Sequence, residues 1–269
     1  MTDEKVFYAE GDDPKMVAAY AQAQATFKYF WRELSWENRR IIPALNLACV
    51  KVACRQEDEE NDTPIVEHMW INEIEFDGLV VKGILLNSPT KITNFSAGDE
   101  IEVLVGQISD WLFTIEEQSA TKGLAKFFPK KSAIKSYGGF TIQALRSQMT
   151  NKERIAHDKS WGIDFGDYNE ILWVEGQKEN PDNLIEHPNS KAMKEKLRDF
   201  LIGNPDELLA PDDEGYTLLH RESIAGNLSS VLVLLELGAN KSAKTKEGYI
   251  ALDFAKKLNW THIIPALET

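Results

Sequence analysis

Cysteine, uninterrupted apolar sequence and surplus positive charge are all scarce in this chain. Two cysteines in 269 residues, Cys49 and Cys54, cannot form a disulfide framework and suit a reducing compartment. The longest apolar runs, such as Leu79–Leu86, fall far short of the roughly 20 residues that cross a bilayer, and Lys82 interrupts that one. The opening residues Met1-Thr2-Asp3-Glu4-Lys5 are acidic where a signal peptide is basic and then apolar. A cytoplasmic location is the expectation, with no membrane partner. The 30 basic residues face 43 acidic ones, a net charge of −13, which repels phosphate backbones and argues against nucleic acid as a general partner.

Catalytic signatures are also missing. The chain holds no Walker-type phosphate loop, no Gly-x-Gly-x-x-Gly after a strand and no Gly-x-Ser-x-Gly elbow. The histidines at 68, 157, 187, 220 and 262 do not fall at metal-ligand spacings. Cys49 and Cys54 are an odd number of residues apart on an expected strand, so their side chains take opposite faces. Asp164 and Asp167 lack the alternating oxygens of a calcium loop and read as acids capping a turn. No cofactor and no metal are expected.

An ordinary apolar fraction of 43% supports a packed core, and the order of elements is readable. Asp13-Pro14 opens a helix whose apolar positions Met16, Tyr20, Ala23, Phe27, Phe30, Trp31 and Leu34 recur every three or four residues. The period then falls to two. Ala48, Val50, Val52 and Cys54 form one strand face, and residues 66–76 form a second alternating segment. Asp77-Gly78 signals a hairpin into Leu79–Leu86, and a further strand is expected near residues 100–105. The acidic run 57–62 reads as a solvated loop. Residues 116–136, with five lysines beside Phe127 and Phe128, read as an insertion, more simply a solvated loop than a phosphate-binding surface. Beyond it come helices over 140–147 and from Thr150, where Thr150 and Glu153 have capping-box spacing. Residues 171–174 have strand composition, and 180–188 read as a linker.

The segment 14–165 carries Glu67-His68-Met69-Trp70, then Gly83, Asn87 and Pro89. Ala97-Gly98-Asp99, Ser109-Asp110-Trp111 and Gly138-Gly139-Phe140-Thr141 follow in order. It resembles the YegJ-like bacterial family of unknown function, which implies a small α+β domain and transfers no activity. The insertion 116–136 departs from the pattern. Further along, Gly215-Tyr216-Thr217-Leu218-Leu219-His220, Ala225-Gly226-Asn227 and Gly238-Ala239-Asn240 resemble the ankyrin consensus. The frame returns at Gly248 through Asp253 at an offset of 33, the ankyrin period, although Leu218, Ile250, Ala251 and Asp253 depart from the consensus. Leu201-Ile202 aligns with Leu234-Leu235 as a fainter third copy, with a helix over 190–202 as its cap.

These readings give an α+β fold, an antiparallel sheet covered by helices, followed by a short all-α ankyrin-repeat array. Residues 1–186 form the first domain, ending in an acidic connector, and 187–269 the two to three repeats. The expected cleft residues of the first domain are His68, Trp70, Asn87, Asp110 and Trp111. His68 reads first as a structural imidazole and second as a general base beside Asp110. Gly215, Thr217, His220, Gly226, Gly238, Gly248 and Asp253 are expected to maintain the repeats. The leading functional expectation is a non-enzymatic, cytoplasmic protein-binding protein with a basic partner. Acidic ankyrin proteins resemble immunity proteins that neutralise toxins. The alternative is an enzyme or small-ligand binder using the cleft, with the repeats as a targeting module.

Overall fold

The computed structural model describes residues 13–58, 63–116 and 133–268. Helix α1 (Pro14–Glu37) begins where Asp13 Oδ1 accepts the Lys15 N–H at 2.9 Å. Met16, Ala19, Ala23, Phe27, Phe30 and Leu34 are all buried, so one stripe of this helix is core. Among the described residues six strands follow: β1 (Leu45–Gln56), β2 (Ile65–Phe76), β3 (Val80–Leu85), β4 (Glu100–Leu104), β5 (Ile108–Glu116) and β6 (Ile134–Gly138). They form one antiparallel sheet in the order β4-β3-β2-β1-β5-β6.

Strand β1 is central. Val50 and Val52, both fully buried, stand opposite Ile71 and Met69 of β2, and Val50 also faces Trp111 of β5. The β2–β3 hairpin turns where Asp77 Oδ1 accepts the Leu79 N–H at 2.7 Å and Gly78 takes φ +102°. Next to β5, β6 runs into Gly138 and Gly139, at φ +75° and +73°, which turn the chain directly into α2 (Phe140–Arg146). Helix α3 (Asn151–Trp161) starts with the expected capping box, the Thr150 N–H donating to Glu153 Oε2 at 2.9 Å.

Three local expectations change. Strand β6 begins within what reads as an insertion, because Ile134-Lys135-Ser136 is too short and polar to advertise a strand alone. Residues 171–174 form no strand; the Leu172 carbonyl accepts the Gly138 N–H, and Trp173 stacks on Tyr29 at 5.5 Å. The helix expected over 190–202 divides into α4 (Pro188–Ala192) and α5 (Lys194–Gly203). Residues 117–132 of the lysine-rich segment and 59–62 of the acidic run lie outside the described residues.

The chain divides into two compact units. The first comprises the described residues of Met1–Phe30, Arg40–Glu75 and Val80–Trp173. The second comprises those of Trp31–Arg39, Phe76–Leu79 and Val174–Thr269. After α5, the second unit contains α6 (Pro205–Leu209), α7 (Leu218–Ala225), α8 (Leu228–Glu236), α9 (Ala251–Lys257) and α10 (Ile264–Glu268). Helix α7 packs on α8 and α9, α5 packs on α8, and α9 on α10. Residues 31–39 are integral to this unit. The Trp36 indole N–H donates to Asn227 Oδ1 at 3.1 Å, Arg39 pairs with Glu222 at 2.6 Å, and Arg32 donates to the carbonyls of 183–185.

Candidate functional site

Successive residues of a strand point to opposite sides, and Asp110 and Trp111 show it. The fully buried Trp111 side chain donates its indole N–H to the Ala23 carbonyl and Thr26 Oγ1 of α1, both at 3.1 Å. Asp110, also without exposure, turns to the first turn of α2. Its carboxylate accepts the N–H groups of Phe140 (2.9 Å) and Thr141 (2.7 Å), the Thr141 hydroxyl (2.6 Å) and its own strand's Trp111 N–H (2.8 Å). Burial pushes its pKa up, while the Thr141 bonds and Lys51 oppose that rise. Such a carboxylate is a structural clamp, with its lone pairs spent on holding α2 to β5.

His68 and Trp70 share one face of β2 and are half-buried, whereas Asn87 is exposed in the turn after β3. The His68 Nδ1 lies 2.6 Å from Ser109 Oγ, and its ring stacks on Tyr20 of α1 at 5.3 Å. Ser109 sits where the β1–β5 register slips between Lys51 and Val52, a bulge that re-aims its side chain. Burial, then Lys51, then Arg55 hold the His68 pKa down at about 4. Lys51 stands between Asp110 and Trp70 in the sheet. Its ammonium is 3.5 Å from Thr141 Oγ1 and 5.5 Å from the Trp70 ring centroid, and burial lowers its pKa. The structure therefore brings His68 and Trp70 together with Lys51 and Ser109, and sends Trp111 to the other side of the sheet. Lys51 and Ser109 were missed in the sequence; the parity of Lys51 with an apolar strand face was the available signal for one, while the bulge at Ser109 left none.

The second unit carries a hydrogen-bonded motif twice, 33 residues apart. The Asp212 N–H donates to the Tyr216 carbonyl and the Gly215 N–H to the Asp212 carbonyl; Thr245, Tyr249 and Gly248 repeat both bonds, all four at 2.9 Å. Gly215 and Gly248 take φ +85° and +89° there. The Thr217 N–H then donates to His220 Nδ1 at 3.0 Å, as the Ile250 N–H does to Asp253 Oδ2 at 2.9 Å. With Nδ1 accepting, His220 donates from Nε2 to the Tyr249 carbonyl at 3.3 Å, tying one copy to the next. Burial lowers its pKa. Gly226 (φ +74°) lies against the Trp260 ring, whose N–H donates to the Ile224 carbonyl at 3.0 Å, and Gly238 (φ +96°) ends α8.

The turn tips are the exposed part of this arrangement. Asp213, Glu214, Lys246 and Glu247 are exposed; the Lys246 N–H donates to the Glu214 carbonyl at 2.9 Å and their side chains pair at 3.3 Å. Within the same unit, Trp31, Phe76, Leu218 and Ile224 line a cavity of about 260 Å³ beside the Arg39–Glu222 pair. Among the described residues, no group of three or more His, Cys, Asp or Glu side chains is arranged to hold a metal ion. Asp164 and Asp167 each cap their own turn, accepting the N–H of Gly166 and Asn169 at 2.9 Å. No helix among them is long and apolar enough to cross a membrane.

A six-stranded α+β unit with an Asp-Trp strand clamped to a Gly-Gly-Phe-Thr helix start is the part of the chain that a family model recognises. Over residues 13–165 this chain belongs to the family described as "Uncharacterized protein conserved in bacteria (DUF2314)". It is 46% identical, over 100% of its length and 98% of the relative's, to a Neisseria meningitidis serogroup B protein named "Putative ankyrin repeat protein". It is 28% identical over 79 residues (29% of this chain, 40% of the relative) to "Uncharacterized protein YegJ" of Escherichia coli K12. A stretch of the same length (29% of this chain, 6% of the relative) is 37% identical to the human "Inhibitor of Bruton tyrosine kinase". No solved structure matches the chain.

Proposed function

We propose that this is a non-enzymatic, cytoplasmic protein-binding protein whose residues 187–269 form a short ankyrin-type array. The carrying observation is the motif at the 33-residue offset: two identical hydrogen-bonded turns, joined tip to tip through Glu214 and Lys246, each leading into a helix pair. Such units present exposed tips and a helix face of fixed shape, a surface suited to protein contact. The name of the Neisseria relative supports the same reading. A basic partner fits the charge distribution. Residues 151–186 carry nine acids against four bases, and the overall charge is −13. An immunity-type role, in which the protein occludes a basic toxin, is the specific form of this proposal. Co-purification from the source bacterium tests it: a stoichiometric basic protein is expected, released by Glu214→Lys combined with Glu247→Lys. Retention of that protein by the doubly reversed variant contradicts the assignment to the turn tips.

A further inference from the structure

Lys51, Ala53 and Arg55 share one face of β1, and their partners across β2 are Trp70, His68 and Val66. This register sets His68 between two cations as diagonal same-face neighbours, about 7–8 Å away at the backbone. Burial first, and then both cations, disfavour protonation of the ring, so His68 is neutral at pH 7.

The donors of this cluster are largely unspent. An ammonium has three N–H groups, and among the described residues Lys51 uses one, in the 3.5 Å contact to Thr141. Arg55 is exposed, and among the described residues its guanidinium has no hydrogen-bond or ion-pair partner; its backbone carbonyl accepts from Asn94. A neutral His68 that accepts the Ser109 hydroxyl carries its hydrogen on Nε2, which has no partner among those residues. Neighbouring acids do not fill these donors. Asp110 is committed to Trp111, Phe140 and Thr141. Glu67, on the opposite face of β2, is committed to the N–H groups of Thr90 and Lys91. A local surplus of positive charge and free donors thus stands on a chain of net charge −13. Asp110 attracts Lys51 electrostatically, yet two N–H groups of the half-buried Lys51 ammonium still want an acceptor.

We infer that Lys51, Arg55 and His68 form a binding site for a ligand bearing an oxyanion, a phosphate or a carboxylate, held by the two cations and, in the tautomer whose Nδ1 accepts the Ser109 hydroxyl, by the His68 Nε2–H. Trp70 beside Lys51, and Tyr20 stacked on His68, border the site with aromatic rings. This site lies wholly in the first unit and does not depend on the protein-binding role proposed for the repeats.

The test is an NMR titration of the His68 imidazole in the full chain, assigned by loss of its signal in His68→Gln. Inorganic phosphate, acetate and chloride are compared at matched ionic strength. An oxyanion within reach of the ring raises the His68 pKa by about 1 unit, saturably, with phosphate or acetate and not with chloride. A response to phosphate alone assigns the phosphate class, and one to acetate alone assigns the carboxylate class. Arg55→Gln, an exposed position whose substitution leaves the core intact, weakens the apparent affinity at least severalfold, and Lys51→Met abolishes it. An equal response to chloride, no response to either oxyanion, or full affinity in Arg55→Gln overturns the proposal.

Discussion

Both polar groups of Thr141, its backbone N–H at 2.7 Å and its hydroxyl at 2.6 Å, close on one oxygen of the Asp110 carboxylate. The other oxygen takes the N–H of Phe140 at 2.9 Å and of Trp111 at 2.8 Å. One side chain therefore fixes the start of α2 against β5. Asp110→Ala leaves four buried donors without an acceptor and should cost about 3 kcal/mol or more. Thr141→Val, which removes only the hydroxyl, should cost about 1 kcal/mol. Urea denaturation checks both, and an unchanged midpoint for Asp110→Ala contradicts the clamp.

Two glycines separate backbone strain from crowding. Gly226 and Gly98 both have positive φ, +74° and +91°. A Cβ on Gly226 would lie 2.5 Å from the Trp260 ring, whereas one on Gly98 meets nothing within 4 Å. Gly98→Ala should cost about 1 kcal/mol, from conformation alone, and Gly226→Ala about 3 kcal/mol. Equal losses in thermal melts would mean that Trp260 yields freely.

The pKa of His68 is about 4 in the folded chain against an ordinary value near 6.5. As pH falls through 6.5 the unfolded chain takes up a proton that the folded chain refuses. The His68 contribution to stability is therefore complete above pH 6.5 and is lost between 6.5 and 4. After allowance for the partial exposure of the ring, the loss should be about 2 kcal/mol. His220, lowered by burial, acts in the same direction, while Asp110, raised by burial, opposes both as it takes up a proton. The difference in unfolding free energy between the parent and His68→Gln, measured from pH 7 to 4, isolates the His68 share. A difference independent of pH contradicts it.

Residues 187–269 expressed alone should fold poorly. They would lack Trp36, which caps Asn227, Arg39, which pairs with the buried Glu222, and Gly78, which lies against Phe254. The proposed array of two to three repeats is also near the lower limit for a stack whose units cannot bury their own faces. A broad, low-temperature melt is expected by circular dichroism, and a sharp cooperative one contradicts this account.

The first helix and the start of the sheet were legible because their periods are clean. The stripe from Met16 to Leu34, the alternation along β1 and the Asp77-Gly78 turn each specify an element with little outside help, whereas along β2 the buried positions change parity at Glu73 (φ +51°), between Ile71 and Ile74. Strand β6 was not legible, since five residues containing Lys135 and Ser136 owe their strand to pairing with β5, a contact distant in sequence. The site followed the same division. The hydrogen bond from the Thr217 N–H to His220 and the positive φ of Gly215 and Gly248 belong to local turns, the kind of feature a short motif can carry. The role of Asp110 depends on α2, 30 residues away, and the bulge that aims Ser109 at His68 has no local signature. Trp111 carried an aromatic signal without a direction; strand parity turns it to α1, away from Asp110.

The central claim is that the turn tips recognise another protein, and affinity for the co-purified partner tests it most directly. Calorimetry with the purified partner should give one-to-one binding that weakens at least tenfold in the Glu214→Lys, Glu247→Lys variant, with the fold unchanged by circular dichroism. No stoichiometric partner, or a partner whose affinity ignores the reversal, would contradict the account.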